Sequence, residues 1–229
     1  GSGWHIMGTF NGPIRDLCVR DSSLFAAGGF RSGIDGGYEF IAEWTGSAWR
    51  GVGAPLGEIY DLEFYNNTLH AALAGPGGAG VFRMRVLDGT WWDEIGGSLG
   101  TYVYALAVHK GFLVAGGNFQ AIGDLYASNV ARWDGARWTG MKGGINGAVS
   151  CFTIYNEDLV VGGSFSEAGS IAAANIARYD GVSWSAFGSG THPGGDVWAL
   201  APWGDALYVG GRFVTAGGKV SPRIARWID

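Results

Sequence analysis

One short phrase recurs along this chain and limits the folds open to it. Leu113-Val-Ala-Gly-Gly117, Leu159-Val-Val-Gly-Gly163 and Leu207-Tyr-Val-Gly-Gly211 are near-copies, and Phe25-Ala-Ala-Gly-Gly29 is a fourth. Downstream of each comes an apolar-Ala-Arg-aromatic unit: Val130-Ala-Arg-Trp133, Ile176-Ala-Arg-Tyr179 and Ile224-Ala-Arg-Trp227. Ile41-Ala-Glu-Trp44 and Val86-Leu-Asp-Gly89 are weaker versions of it. Trp4, Trp49, Trp92, Trp138 and Trp184 then repeat at intervals of about 45 residues. A period in the forties, with four short β segments in each unit, is the spacing of a propeller blade.

The third unit shows how each copy divides. Strands are expected at about 102–109, 111–117, 128–134 and 137–141. The Gly-Gly pair ending the second strand leaves room for a neighbouring backbone. Asp134-Gly135 is a hairpin signal between strands three and four, because Gly accepts positive φ. The Trp that opens strand four is a wedge between blades. Helical spacing with caps is absent, which excludes a parallel α/β fold. The second unit departs most, with Gly75-Pro-Gly-Gly-Ala-Gly80 in place of Gly-Gly-x-Phe, but its first and fourth strands are legible at 58–65 and 91–95.

Read from Asp229 to Trp4, the two ends reproduce Asp134-Gly-Ala-Arg-Trp138. Residues 3–7 are therefore expected to form the outer strand of the last blade, which would close the ring and remove two sheet edges. The expected fold is all-β: a five-bladed β-propeller, four antiparallel strands per blade, in one domain over residues 1–229. The blades span about 13–53, 58–95, 102–141, 148–187, and 196–229 plus 3–7.

Composition agrees. The chain has 43 Gly, 11 Trp, 9 Tyr and 12 Phe with only 15% charged residues, a mixture suited to short strands and tight turns. At 229 residues it buries enough surface to need no staple. Cys18 and Cys151 have no framework or CxxC spacing and read as small core residues. The net charge of −5, without a Lys/Arg cluster, excludes nucleic acid as a partner. No apolar run is long enough for a membrane-spanning helix. The opening Gly1-Ser2-Gly3, without a signal peptide or initiator Met, reads as a processed or excised protein. His5, His70, His109 and His192 lack zinc spacing, and neither a nucleophile elbow nor a phosphate loop is present. No metal or other cofactor is expected.

The unit LxVGGxF–xxAG–xxxIARWDGxxW resembles the kelch- and galactose-oxidase-like propeller repeats of bacterial secreted and surface proteins. It is also similar to the repeat of the fungal cortical polarity marker family. The resemblance is close around 113–138, 159–184 and 207–227 and loose around 69–92. It implies an extracellular or cell-surface location and an adhesive or display role, with no shared catalytic residues. Five-bladed invertebrate lectins are similar in architecture only.

With the first strand innermost, two loop sets share one face. One joins successive units (8–13, 53–57, 96–101, 141–147, 188–195), and the other joins strands two and three (30–38, 75–80, 118–127, 164–173, 212–221). Long loops on a rigid scaffold are where binding groups sit. On that face the residue after the first apolar position of strand one varies: Arg15, Tyr60, Tyr104, Ser150 and Trp198. The residue after Gly-Gly varies too, as Asn118, Ser164 and Arg212, whereas Phe30, Phe119, Phe165 and Phe213 recur and are structural. Tyr60, Tyr104, Trp198, Asn118 and Arg212 are the candidate ligand-binding set; inter-blade contact is the competing role for the aromatics. Asp16, Asp61 and Glu63 are acidic residues near the expected axis, where carboxylates could serve glycoside hydrolysis, hold Ca²⁺, or line a solvated channel. The expectation is a monomeric, noncatalytic module binding a carbohydrate or a protein. A glycosidase-like hydrolase is the alternative.

Overall fold

A computed structural model describes residues 3–31, 39–53, 57–74, 79–84, 92–97, 102–192 and 194–228. The weak Val86–Gly89 repeat, Gly75–Gly78 and most of the 30–38 loop lie outside these. The described residues contain no helix; they form antiparallel sheets that follow one another along the chain. The first sheet runs Ile14–Arg20, Ser23–Gly28, Ile41–Trp44 and Trp49–Gly51. The second runs Ile59–Tyr65, Thr68–Leu73, Gly80–Met84 and Trp92–Glu94, and the third Tyr102–His109, Phe112–Asn118, Val130–Trp133 and Trp138–Gly140. The fourth runs Ala148–Tyr155, Asp158–Ser164, Ile176–Tyr179 and Trp184–Ala186, and the fifth Val197–Trp203, Ala206–Gly211 and Ile224–Ile228. Within each sheet the strands pair in chain order. The first strands of successive sheets pack side by side.

The repeated glycines have the role read from the sequence. A Cβ on Gly117, Gly163 or Gly211 would run into the carbonyl oxygen of Tyr102, Ala148 or Asp196 on the adjacent first strand. The first sheet is offset by one residue from its sequence alignment. Gly28, not Gly29, is the glycine that pairs with Ile14 and meets the Pro13 carbonyl, so Leu24 and not Phe25 corresponds to Leu113.

The connections expected as plain loops between strands two and three are in part hairpins: Ala121–Ile122 with Leu125–Tyr126, Glu167–Ala168 with Ile171–Ala172, and Thr215–Ala216 with Lys219–Val220. Asn129 and Asn175 hold two of them. Each sits at positive φ (63° and 64°), where Asn is better tolerated than most residues. Their Oδ1 atoms accept from Phe119 N and Phe165 N, and their Nδ2 groups donate onward to Ile145 O and Thr191 Oγ1. Single bridges, Ile145 to Ala168 and Thr191 to Ala216, join these hairpins to the sheet-to-sheet loops, so both loop sets lie on one side.

The core is divided into layers between consecutive sheets. Ile41, Ile59 and Leu69 fill the first layer; Ala72, Val103 and Trp138 the second; Val114, Val149 and Trp184 the third; Val160, Val197 and Leu207 the fourth. The fifth sheet departs from expectation. It has three strands, residues 3–7 are not paired to it, and Trp4 is fully exposed. The first strand of the first sheet is uncovered as well: Leu17 is 58% exposed, whereas its counterparts Leu62 and Leu106 are each 5%.

Candidate functional site

In all five sheets the pairing of the first strand with the second slips by one residue at the same place. The skipped residues are Arg15, Tyr60, Tyr104, Ser150 and Trp198. A β-bulge leaves its extra residue outside the ladder and re-aims its side chain. A column that varies in the sequence is thus one the backbone releases from the ladder.

Three of these side chains form a row. The Arg15 guanidinium lies over the Tyr60 ring at 4.3 Å, and the Tyr60 and Tyr104 rings stand 5.4 Å apart at 54°. Glu58 fixes one end: Arg15 donates to Glu58 Oε1 from both Nε (2.9 Å) and Nη2 (2.7 Å), and the Tyr60 hydroxyl donates to Oε2 (3.5 Å). The pair is partly exposed and adds about 0–1 kcal/mol to stability, so its value is orientation. Burial, then the neighbouring Tyr60 and Tyr102, raise the Tyr104 phenol above its ordinary pKa, so it stays a neutral hydroxyl.

The remaining predicted residues are distributed around this row. Asn118 is exposed at its strand end, directly across the ladder from Tyr102, two residues before Tyr104. Trp198 is 55% exposed on the fifth sheet. Arg212, just beyond the second strand of that sheet, forms an ion pair with Asp196 at 3.3 Å. Ser150 interrupts the aromatic column between Tyr104 and Trp198.

Sequence reasoning missed Glu58, Tyr102 and Asp196 and left Arg15 out of the candidate set. The missed residues occupy a second variable column, just before the first apolar residue of each first strand: Pro13, Glu58, Tyr102, Ala148 and Asp196. Comparing that column across units was the signal available.

Asp16, Asp61 and Glu63 have a different assignment. Asp16 Oδ2 accepts from Leu62 N (2.9 Å), and Asp61 Oδ2 from Leu106 N (2.7 Å), each reaching the first strand of the next sheet. Asp61 Oδ1 also accepts from Leu62 N, and Glu63 from Phe64 N and Val108 N. First strands end their ladders here, so their outward amides need acceptors, and these carboxylates supply them. Burial pushes the Asp61 acid well above the usual range, with the Asp16 charge adding to the rise and the two amides opposing it. Glu63 is raised mainly by burial. Cys18, beside them, is pushed up to about 12 by burial and then by all three carboxylates, so it is an inert thiol. Among the described residues no group of three His, Cys, Asp or Glu could hold a metal ion. His70 and His109 are buried with a ring nitrogen against the carbonyls of Thr68 (2.9 Å) and Glu157 (3.0 Å). No helix is long and apolar enough to cross a membrane, among the described residues.

No protein-family profile matches the chain, and no curated protein does. Among solved structures, the chain is similar to one described as "Crystal structure of the tricorn protease". The identity is 12%, the TM-score is 0.54, and the match covers 92% of this chain and 22% of that one. The chain therefore spans less than a quarter of that protein. At this identity the likeness carries the fold alone: an all-β chain of antiparallel sheets, similar to a β-propeller-containing protein.

Proposed function

We propose that the five sheets are the five blades of one propeller of the kelch and galactose-oxidase type, with residues 3–7 as the fourth strand of the last. On this reading the molecule is a noncatalytic recognition module that works outside the cytoplasm. Its ligand, a carbohydrate or a protein segment, is held at the bulge-bearing end by Tyr60, Tyr104, Trp198, Asn118 and Arg212. The observation that carries the reading is the bulge at the same variable position of all five first strands, with Arg15, Tyr60 and Tyr104 in contact in a row at the first three. Adjacent rings offer contact area at little entropic cost, and Arg15 with Glu58 gives that surface a fixed polar end. The carboxylates of Asp16, Asp61 and Glu63 accept backbone amides, which supports a structural role for them over a hydrolytic one.

A glycan and peptide array, followed by titration with tryptophan fluorescence, tests the proposal. A hit should bind with Kd in the micromolar to millimolar range, about −8 to −4 kcal/mol. Tyr60→Ala and Trp198→Ala should each weaken it at least tenfold while leaving the fold intact. Parent-like binding by both variants, or turnover of a glycoside abolished by Asp61→Asn, would overturn the reading.

A further inference from the structure

The wedge tryptophans follow a rule that the two ends of the chain leave unmet. Trp92, Trp138 and Trp184 donate from Nε1 to the carbonyls of Val52 (3.1 Å), Ile95 (3.2 Å) and Met141 (2.9 Å). Each acceptor lies three residues after the preceding wedge tryptophan. By the same rule Trp49 should donate to Met7, and Trp4 should donate to Phe187. Instead, Trp49 Nε1 is buried without an acceptor among the described residues, and Trp4 stands in solvent.

The fifth sheet carries the matching receptacle. A cavity of about 500 Å³ is lined by Phe187, Gly190, Ala216, Gly217, Ala225 and Trp227. In the preceding unit the corresponding residues Met141, Ala168, Ala177 and Tyr179 share a cluster with Trp184. The frame is the same too: Gly217 N donates to Gly190 O, as Gly169 N does to Gly144 O. The outer edge of Ile224–Ile228 runs beside this cavity. By the register of Tyr179 with Trp184, it would pair Trp227 with Trp4, Arg226 with His5 and Ala225 with Ile6.

Donor and acceptor stand at opposite ends of the row of sheets. Gly8 lies against the Trp49 indole, and Phe10 rests on Phe30 (4.7 Å) and Trp49 (5.2 Å), so residues 4–7 leave from the first sheet. The first and fifth sheets do not cover each other: Leu17 and Val19 at one end and Trp203 and Ile224 at the other are exposed. With both end faces exposed, reciprocal exchange between two copies fills every slot and covers both faces.

We infer that the slot on the fifth sheet is a strand-binding site whose occupant is Trp4–Met7 of a second copy of this chain. The incoming indole donates to the Phe187 carbonyl, and the donor copy's Met7 carbonyl then accepts from its own Trp49. This rests on residues 3–7 being the fourth strand of the last sheet. It replaces the monomer expected from sequence with an exchanged dimer.

Light scattering at micromolar concentration should give twice the chain mass, and Trp4→Ala should return it to one chain. Cysteines placed in register separate the outcomes. Chains carrying His5→Cys, mixed with chains carrying Arg226→Cys and oxidised, should yield a cross-linked pair of different chains. A chain bearing both substitutions that cross-links only within itself would overturn the exchange and keep the strand. Absence of any cross-link in folded protein would overturn both. Because His5 is exposed, that substitution leaves folding intact; circular dichroism verifies it for each variant.

Discussion

The fourth and fifth sheets are written in nearly the same words and end in different surroundings. Ile176-Ala-Arg-Tyr179 and Ile224-Ala-Arg-Trp227 pair with their second strands in the same register, yet Ile176 is 3% exposed and Ile224 63%. Asn175 and Arg223 share the same left-handed backbone, with φ of 64° and 69°, but only Asn175 has a side chain that ties the hairpin to the following loop. The fourth sheet has a neighbour on each side and a wedge tryptophan, whereas the fifth has one neighbour and a cavity where the wedge would be. In a repeat architecture the motif sets the strand and the neighbour sets the burial.

The largest expected effect probes the wedge. Trp184→Ala should cost about 3–5 kcal/mol in denaturant unfolding, as truncations of buried Trp do. Trp4→Ala, measured where the chain is dispersed, should cost less than about 0.5 kcal/mol, the usual range for surface changes. Equal losses would mean that the fifth sheet is already filled and the comparison fails.

Asn175→Ala comes next. It leaves the Phe165 amide without its side-chain acceptor and should cost about 1–3 kcal/mol. Arg223→Ala at the matching position should change stability little, and a loss as large as that of Asn175 would show the two hairpins to be anchored alike.

A glycine pair sharpens the contrast further. A Cβ on Gly162 would run into Val197 of the next sheet and Cys151 of its own, whereas one on Gly210 meets no atom closer than 3.7 Å. Gly162→Ala should destabilise by about 1–3 kcal/mol. Gly210→Ala should be neutral or add about 0.4–1 kcal/mol, through the unfolded chain. If Gly210→Ala also halves the solution mass, the open face of the fifth sheet is where the second copy sits.

The smallest effect is on pH. Asp61 and Glu63 have folded pKa values raised above their unfolded ones, so their contribution is full below about pH 4 and is lost as pH rises through the raised values. Asp134 and Asp180 act in the opposite sense; backbone amides hold Asp180 at about 2, and its contribution is lost only as pH falls toward that value. Tm should therefore decline by a few degrees from mildly acidic to alkaline buffer, and Asp61→Asn should flatten that slope. The third, fourth and fifth sheets carry Ala105, Cys151 and Ala199 where the first two have Asp16 and Asp61, so Ala199→Ser should leave the slope unchanged.

Much of this was legible in the chain because a repeat averages out local ambiguity. Strand positions in the third and fourth units follow from Leu-x-Val-Gly-Gly and the Asp-Gly turns. The one-residue slip in the first unit arose because Ala27-Gly28 and Gly28-Gly29 are both small pairs, and only contact with the Pro13 carbonyl decides between them. The hairpins at 121–126 and 167–172 have strands too short to show a period; their anchors, Asn129 and Asn175, were the available sign. At the candidate site, the column that varies between units coincides with the bulges, which the sequence did not announce, and variability could not show which side chains meet. Tyr60 and Tyr104 do, and Trp198 stands apart. Position near the axis is all that the sequence shows of the acidic residues, whereas their role follows from backbone amides that no side-chain pattern reveals.

The indole-to-carbonyl bond has a consequence for how such chains grow. Each unit brings a tryptophan that needs the preceding unit's carbonyl, and a carbonyl that serves the following unit's tryptophan. Duplicating or deleting one whole unit therefore leaves every internal junction chemically unchanged and moves only the location of the two ends. Copy number is then free to drift by recombination without relearning any contact. Natural variation in length should come in steps of one unit, with substitutions tolerated at the bulges long before they are tolerated at the wedges.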